Sequence, residues 1–179
     1  MRFFTLQFVV ALLAIFTSCD ELSKGPSSIN AVSYNDSIIE EQSKVIKYML
    51  DMTRNMESNL SEADKQREAG VNQAKLSIRK IEMLGDFKGD NSLGNAAMDM
   101  FKFYQNTFES DFKEMLSILK KEKIDSLDIQ RVSEINASLA VKETQVHSAF
   151  EIEQKKFAQK NGFEMKENEM QKDLDNAIN

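Results

Sequence analysis

The stretch SINAVSYNDSIIEEQSKVIKYMLDMTRNME, residues 28–57, decides the fold class. Its apolar residues recur at spacings of three, four and seven, which is the period of one face of an α-helix. The members of this stripe are Val32, Ile38, Ile39, Val45, Ile46, Met49, Met52 and Met56. The stretch therefore predicts a long amphipathic helix, with Ser28 as its N-cap and an end near Ser58 and Asn59.

Two further helices are predicted toward the C-terminus. Ser61 is followed by acidic residues, a pattern typical of an N-cap and first turn. The stripe of this second helix is Val71, Ala74, Ile78 and Ile81. Gly85 is its expected C-cap, and residues 85–94, GDFKGDNSLG, have the composition of a loop. The third helix is predicted from about Leu93 to Glu122, with Ala97, Phe101, Tyr104, Phe108, Phe112, Met115 and Leu119 in line.

A fourth helix is predicted to begin at Asp125 or Ser126 and to end at Gly162. Its expected core stripe is Ile129, Val132, Asn136, Leu139, Val146, Phe150 and Phe157. No strand pattern competes with these helices in the sequence. Four amphipathic helices with short connections predict an all-α, up-down-up-down antiparallel four-helix bundle over residues 29–162. Residues 163–179 are predicted to be a polar C-terminal tail, either a short helix or a frayed end.

The N-terminus has the pattern of a secretory signal peptide over residues 1–18. Arg2 precedes an almost wholly apolar run from Phe3 to Phe16. Fourteen helical residues measure about 21 Å, whereas crossing a bilayer takes roughly 20 residues. The run therefore fits the apolar region of a signal peptide better than a membrane span.

This apolar run stops at Thr17-Ser18 before the only cysteine, Cys19, and the junction resembles the lipobox of bacterial lipoproteins. Phe16 departs from the aliphatic residue usual in that box. The resemblance implies that Cys19 is the first mature residue and carries a diacylglycerol thioether. Two or three acyl chains hold a protein firmly to a membrane, at about 0.8 kcal/mol for each buried CH₂. A plain signal peptide with an incidental cysteine, or an uncleaved anchor, is the alternative.

Residues 19–28 are predicted to be the lipidated cysteine and a flexible tether, since Gly25, Pro26 and serines lie there. Asp20 and Glu21 follow the cysteine directly. An aspartate at this position resembles an inner-membrane retention signal of enteric-type lipoproteins, whereas acidic residues resemble a surface-export signal in other double-membrane bacteria. The outer membrane or cell surface is the favoured location within the bacterial envelope.

Charge and cysteine content exclude several function classes. Without Arg2, 22 of the 23 basic residues remain against 29 acidic ones, a net charge of −7 for the mature chain. Such a domain is a poor nucleic-acid binder, because phosphate contacts require clustered Lys and Arg. Lipidation of Cys19 would leave no thiol for a disulfide or a metal.

No catalytic or metal site is predicted. The single histidine, His147, is aligned with Glu143 and Glu151 at helical spacing, and a solvated face is the favoured interpretation. The thioethers of Met49, Met52 and Met56 are soft ligands that could bind copper. At spacings of three and four on an apolar stripe, however, methionines are typical of a packed core. The glycines of residues 85–94 lack the Lys-Ser/Thr pair of a phosphate loop, and with one histidine no triad is indicated.

A polar group near the start of the first helix, Tyr34-Asn35-Asp36, is less usual. Its surroundings are similar to the corresponding start in a family of uncharacterised bacterial surface lipoproteins. The matching positions are Ala31, Tyr34, Asn35, Asp36, Ile38 and Gln42. That family implies no mechanism. The alternative is that these side chains satisfy the free N–H groups of a helix start.

These observations predict a lipid-anchored envelope or surface protein with a binding or structural role, without enzyme activity and without a cofactor. Its expected contacts are the membrane, through Cys19, and an envelope or host protein. The alternative is a periplasmic or surface carrier that holds a metal ion or small ligand inside the bundle.

Overall fold

The structure is a computed structural model that describes residues 30–165. Within this range the chain is helical, which confirms the all-α bundle, and none of these helices is long and apolar enough to cross a membrane. The signal peptide, Cys19, the whole of the tether and the tail beyond residue 165 lie outside the described residues. The α-helices are α1 (Ala31–Met56), α2 (Leu60–Leu84), α3 (Ser92–Asn106), α4 (Phe112–Leu119) and α5 (Ser126–Asn161).

A π-helical turn, Thr107–Asp111, joins α3 to α4 without a break. The two therefore form one long helix, and the described chain contains the four long helical segments that the sequence predicts. Neighbouring segments in the chain pack side by side, α1 on α2, α2 on α3 and α3 on α5. By contrast, α1 and α5 approach each other closely at few positions.

Three predicted helix ends are wrong by a few residues. The side chain of Asn30, not Ser28, caps α1 by accepting a 2.8 Å hydrogen bond from the Ser33 N–H. Asn59 rather than Ser61 caps α2. Both asparagines stand upstream of an apolar stripe, and Asn is as good an N-cap as Ser. The helix that contains α4 ends at Leu119, short of Glu122.

Other predicted ends are confirmed. Gly85 and Gly162 follow α2 and α5 with φ angles of 67° and 70°, a conformation that favours glycine. Asp125 caps α5 and forms a capping box with Asp128, each side chain accepting from the other's backbone N–H.

The core follows the predicted stripes of the first three helical segments. Met49, Met52 and Met56 are buried in it, as expected for core methionines. The predicted stripe of the third segment is buried from Ala97 to Met115. The third segment packs closely on α2 at Phe108, because Gly70 of α2 has no side chain and lies against the ring of Phe108. A methyl group on Gly70 would come within 2.5 Å of that ring.

Tyr34 ties one end of the bundle together. Its hydroxyl donates a 2.7 Å hydrogen bond to the carbonyl of Gly85, and its ring packs on Phe87 and Phe157. Phe87 is held in a tight turn by two backbone hydrogen bonds with Asp90, and Asp90 pairs with Lys160. The start of α1, the α2–α3 connection and the end of α5 therefore lie together. We refer to this region as the tether end.

Candidate functional site

The inner face of α5 is apolar at both ends and carries three polar side chains, Glu143, His147 and Gln154, between them. Glu143 and His147 are each 2 % exposed, which contradicts the prediction of a solvated face. Ile129, predicted to be core, is 44 % exposed, and the buried residues of α5 begin at Ile135. The side chains that face inward are Ile135, Leu139, Glu143, His147, Phe150, Gln154, Phe157 and Ala158. Glu151 remains partly exposed and pairs with Lys155 on the surface.

Four of the buried polar side chains form an interior cluster, defined here as Gln42, Tyr104, Glu143 and His147. They come from α1, α3 and α5, and each is at most 2 % exposed. Tyr104 Oη and His147 Nε2 share a hydrogen bond of 2.5 Å. A Glu143 carboxylate oxygen lies 4.0 Å from the same imidazole nitrogen. Gln42 lies against the Tyr104 hydroxyl without completing a well-formed hydrogen bond.

Burial keeps this cluster uncharged near neutral pH. It raises the pKa of Glu143 to about 8 and lowers the pKa of His147 to about 4. It also raises the pKa of Tyr104 well above its usual value, with a further contribution from the nearby Glu143. Between these pH limits the carboxyl is protonated, the imidazole is neutral and the phenol keeps its proton.

The interior cluster contains five polar atoms without a hydrogen-bond partner among the described residues. They are both carboxyl oxygens of Glu143, Nδ1 of His147 and both amide atoms of Gln42. A buried polar group left unpaired costs about 1–3 kcal/mol. The cluster therefore offers donors and acceptors together without formal charge, a combination that suits water or a small neutral hydrogen-bonding molecule better than an anion.

A second buried glutamate has the opposite surroundings. Glu41 is also 2 % exposed, but it accepts hydrogen bonds from Lys44, Ser77 and Lys80 at 2.8–3.0 Å. Burial raises the pKa of Glu41, yet these donors outweigh burial and hold the pKa below its usual value. Since its partners come from α1 and α2, Glu41 acts as a clamp between these helices.

The polar group Tyr34-Asn35-Asp36 does not cap the start of α1 as the alternative interpretation expected. Asn30 does so. Asn35 is 1 % exposed, and its side-chain oxygen accepts a 2.8 Å hydrogen bond from Gln154 on α5. Tyr34 reaches Gly85 at the end of α2. These two residues therefore connect α1 to distant parts of the chain.

The π-helical turn lies three residues beyond Tyr104. The hydroxyl of Thr107, at the start of the turn, is buried and has no partner among the described side chains. The buried guanidinium of Arg67 donates a 3.4 Å hydrogen bond to the carbonyl of Phe108, and it also pairs with Asp64. Such turns often accompany functional sites, because they shift the side chains that follow by one position.

Only two side chains of the interior cluster, Glu143 and His147, are of the kinds that commonly bind metal ions. Nowhere within residues 30–165 do three or more His, Cys, Asp and Glu side chains converge as a metal site requires. Cys19, the predicted lipidation site, lies outside this range.

No protein-family model, no curated protein and no solved structure matches this chain. The interior cluster and the tether end are therefore interpreted from their own geometry.

Proposed function

We propose that this chain is a lipid-anchored protein of the bacterial cell envelope or surface, and that it acts by binding and not by catalysis. The observation that carries the proposal is the apolar run from Phe3 to Phe16, which ends at Ser18-Cys19. The lipid at Cys19 then provides the attachment.

An up-down-up-down arrangement of the four long segments is part of this proposal. Tyr34 bonded to Gly85, and Asp90 paired with Lys160, support one shared end. Lys120, just after α4, pairs with Asp64 near the start of α2 at 2.6 Å, which supports a second shared end. We call the second the distal end, because the tether joins the first.

The partner is proposed to be another envelope protein or a host protein that meets the distal end. Large apolar side chains are exposed there, with Leu127 at 71 % and Ile124 at 45 %. Aliphatic residues in such positions are suited to burial against a partner surface.

The anchor is tested by Cys19→Ala and metabolic labelling with a fatty-acid analogue. The wild-type protein should take up label, and the variant should take up none because the thioether needs that sulfur. Equal labelling of the two proteins would contradict the lipoprotein proposal.

The distal surface is tested by comparing Leu127→Asp with Met83→Asp in intact cells by cross-linking to neighbouring proteins. Met83 is 87 % exposed near the end of α2, so it carries the same change at the tether end. Leu127→Asp should remove a cross-linked neighbour that Met83→Asp retains. Loss in both variants, or in neither, would exclude the distal end as the contact.

A carrier function is the second candidate, and the unpaired atoms of Glu143, His147 and Gln42 favour it. The ligand would be a small neutral molecule held inside the bundle. Native mass spectrometry of the protein from its own cells should show a bound mass that Glu143→Gln weakens or removes. A wild-type mass equal to that of the lipidated polypeptide alone would reject the carrier. Stoichiometric metal would instead identify a metal carrier.

A further inference from the structure

The hydrogen bond between Tyr104 and His147 determines where the imidazole proton lies. The two atoms that share it, Tyr104 Oη and His147 Nε2, are 2.5 Å apart. Bonds donated by hydroxyl groups are about 2.5–3.0 Å long, whereas bonds donated by N–H groups are about 2.7–3.2 Å long. The phenol is therefore the donor, and Nε2 is the acceptor. Because a neutral imidazole carries a single proton, the proton of His147 lies on Nδ1.

Nδ1 of His147 is thus a buried donor that needs an acceptor. The side chain is 2 % exposed, and no described residue accepts from Nδ1. Glu143, one turn earlier on α5, does not accept from it either, since both of its carboxyl oxygens are also unpaired among the described residues. Buried side-chain polar atoms nearly always have a hydrogen-bond partner, either in the protein or in ordered water.

The other unpaired atoms of the interior cluster include donors and acceptors. Glu143, with its carboxyl protonated, offers an O–H donor and a carbonyl acceptor, and the Gln42 amide offers N–H donors and a second carbonyl acceptor. An anion could satisfy only the donors, and a metal ion could satisfy only the acceptors. Water satisfies both, and a buried water makes about three hydrogen bonds. A chain as long as residues 30–165 encloses about five such waters on average.

We propose that the interior cluster is a binding site for water, which bridges Gln42, Glu143 and His147 while His147 holds its proton on Nδ1. At least two molecules are needed for the five unpaired atoms, since one water makes at most about four hydrogen bonds. The water connects α1 with α5, two helices that approach each other closely at few positions. The inference is independent of the lipid anchor and of the carrier function, because a carried molecule would have to displace this water.

Nitrogen-15 NMR of the imidazole tests the position of the proton, and the signals are identified at once because His147 is the only histidine. At pH 7 the wild type should show a protonated Nδ1 and an unprotonated Nε2. Tyr104→Phe removes the donor to Nε2 and should shift the population toward the Nε2–H form. Tyr34→Phe removes a hydroxyl from another buried tyrosine and should leave the wild-type pattern. A wild-type imidazole that carries its proton on Nε2, or an equal response of the two variants, would overturn the inference.

Oxygen-17 relaxation dispersion of the purified protein tests the water itself, because it counts long-lived internal waters and does not respond to exchanging protons. Gln42→Leu with Glu143→Met replaces four of the five unpaired atoms by apolar groups of similar size. This double variant should lose at least one long-lived water. Gln145→Leu with Glu151→Met makes the same changes on the outer side of α5 and should lose none.

Equal losses in the two double variants would overturn the proposal. A wild type without long-lived water would also overturn it, whether the cluster is dry or a carried molecule fills it, and a bound mass in native mass spectrometry distinguishes these two cases. If the first double variant does not fold, Gln42→Leu alone is compared with Gln145→Leu, and the same outcomes apply.

Discussion

The side chains of Glu41 and Glu143 are both 2 % exposed, yet their protonation states differ because their neighbours differ. Two lysines and a serine donate hydrogen bonds to Glu41, whereas neither carboxyl oxygen of Glu143 has a partner among the described residues. Glu41 is therefore a carboxylate in a clamp. Glu143 is a neutral acid near pH 7, and its ionisation opposes folding.

The dependence of stability on pH follows from the residues of the interior cluster. Glu143 has a pKa of about 8 in the folded protein, against 4.5 when it is exposed. Its contribution to the free energy of unfolding is therefore fully present below pH 4.5 and is lost as the pH rises through 8. His147 has a folded pKa of about 4 against 6.5, so its contribution is present above pH 6.5 and is lost as pH falls through 4. The two slopes oppose each other between pH 4.5 and 6.5.

We expect the free energy of unfolding to decrease by about 2 kcal/mol from pH 6.5 to pH 8, where Glu143 is the member of the interior cluster that contributes a slope. Glu143→Gln should remove this decrease, since an amide has no proton to lose. Glu151→Gln, on the same helix but paired at the surface, should retain it. Urea unfolding at a series of pH values measures the effect. A decrease that persists unchanged in Glu143→Gln would show that another group is responsible.

At the scale of single elements, the sequence predicts helices better than it predicts the side that each helix buries. For α1 to α4 the apolar stripe is also the buried stripe, so periodicity identifies the core. In α5, Leu139, Phe150 and Phe157 fix the correct phase, and Glu143, His147 and Gln154 fall on the same side. Hydropathy alone assigns these polar residues to solvent, and it places exposed Ile129 inside.

The buried cluster could therefore have been found from the side of each helix on which its residues lie, but not from their polarity. On α1, likewise, Asn35 and Gln42 share the side that carries Ile38, Val45 and Met49. Their partners across the bundle could not be deduced, because local periodicity carries no information about which helices face each other. The contact of Asn35 with Gln154 joins residues 119 positions apart.

The contact between α2 and the π-helical turn gives the second prediction. Gly70→Ala should destabilise the protein by about 1–3 kcal/mol, because the new methyl overlaps the fully buried ring of Phe108. Alanine's better helix propensity, worth about 1 kcal/mol, offsets part of this cost. Asn72→Ala, exposed on the same helix, should be neutral or slightly stabilising. Thermal unfolding compares the two, and a Gly70→Ala protein as stable as the wild type would contradict the close contact.

At the scale of the whole molecule, the proposed anchor and the arrangement of the four segments set an orientation. The predicted tether precedes Asn30 in the sequence. The connection that contains Lys88 lies beside the start of α1, because Tyr34 contacts Gly85 and Phe87. Helix α1, with 26 residues, is about 39 Å long. The turn at Asn59 and the one at Lys123 are then about that far from the lipid.

Energy transfer to a lipid-bound acceptor tests this orientation. Single cysteines at Lys88, Asn59 and Lys123 can each be labelled, because Cys19 is occupied by its acyl group in the proposed mature protein. Transfer should be strong from position 88 and weak from the other two. Comparable distances at all three positions would mean that the bundle does not stand upright or is not arranged up and down.

The tether end also determines how the protein would respond to a mechanical load. A pull between the anchor and a partner at the distal end enters the bundle at Asn30, only four residues before Tyr34. Tyr34 is joined to the end of α2 by a hydrogen bond and to α5 by its ring contact with Phe157. The load is thus shared among three segments at once. Tyr34→Phe removes the hydrogen bond, and the first turns of α1 would then peel away at lower force.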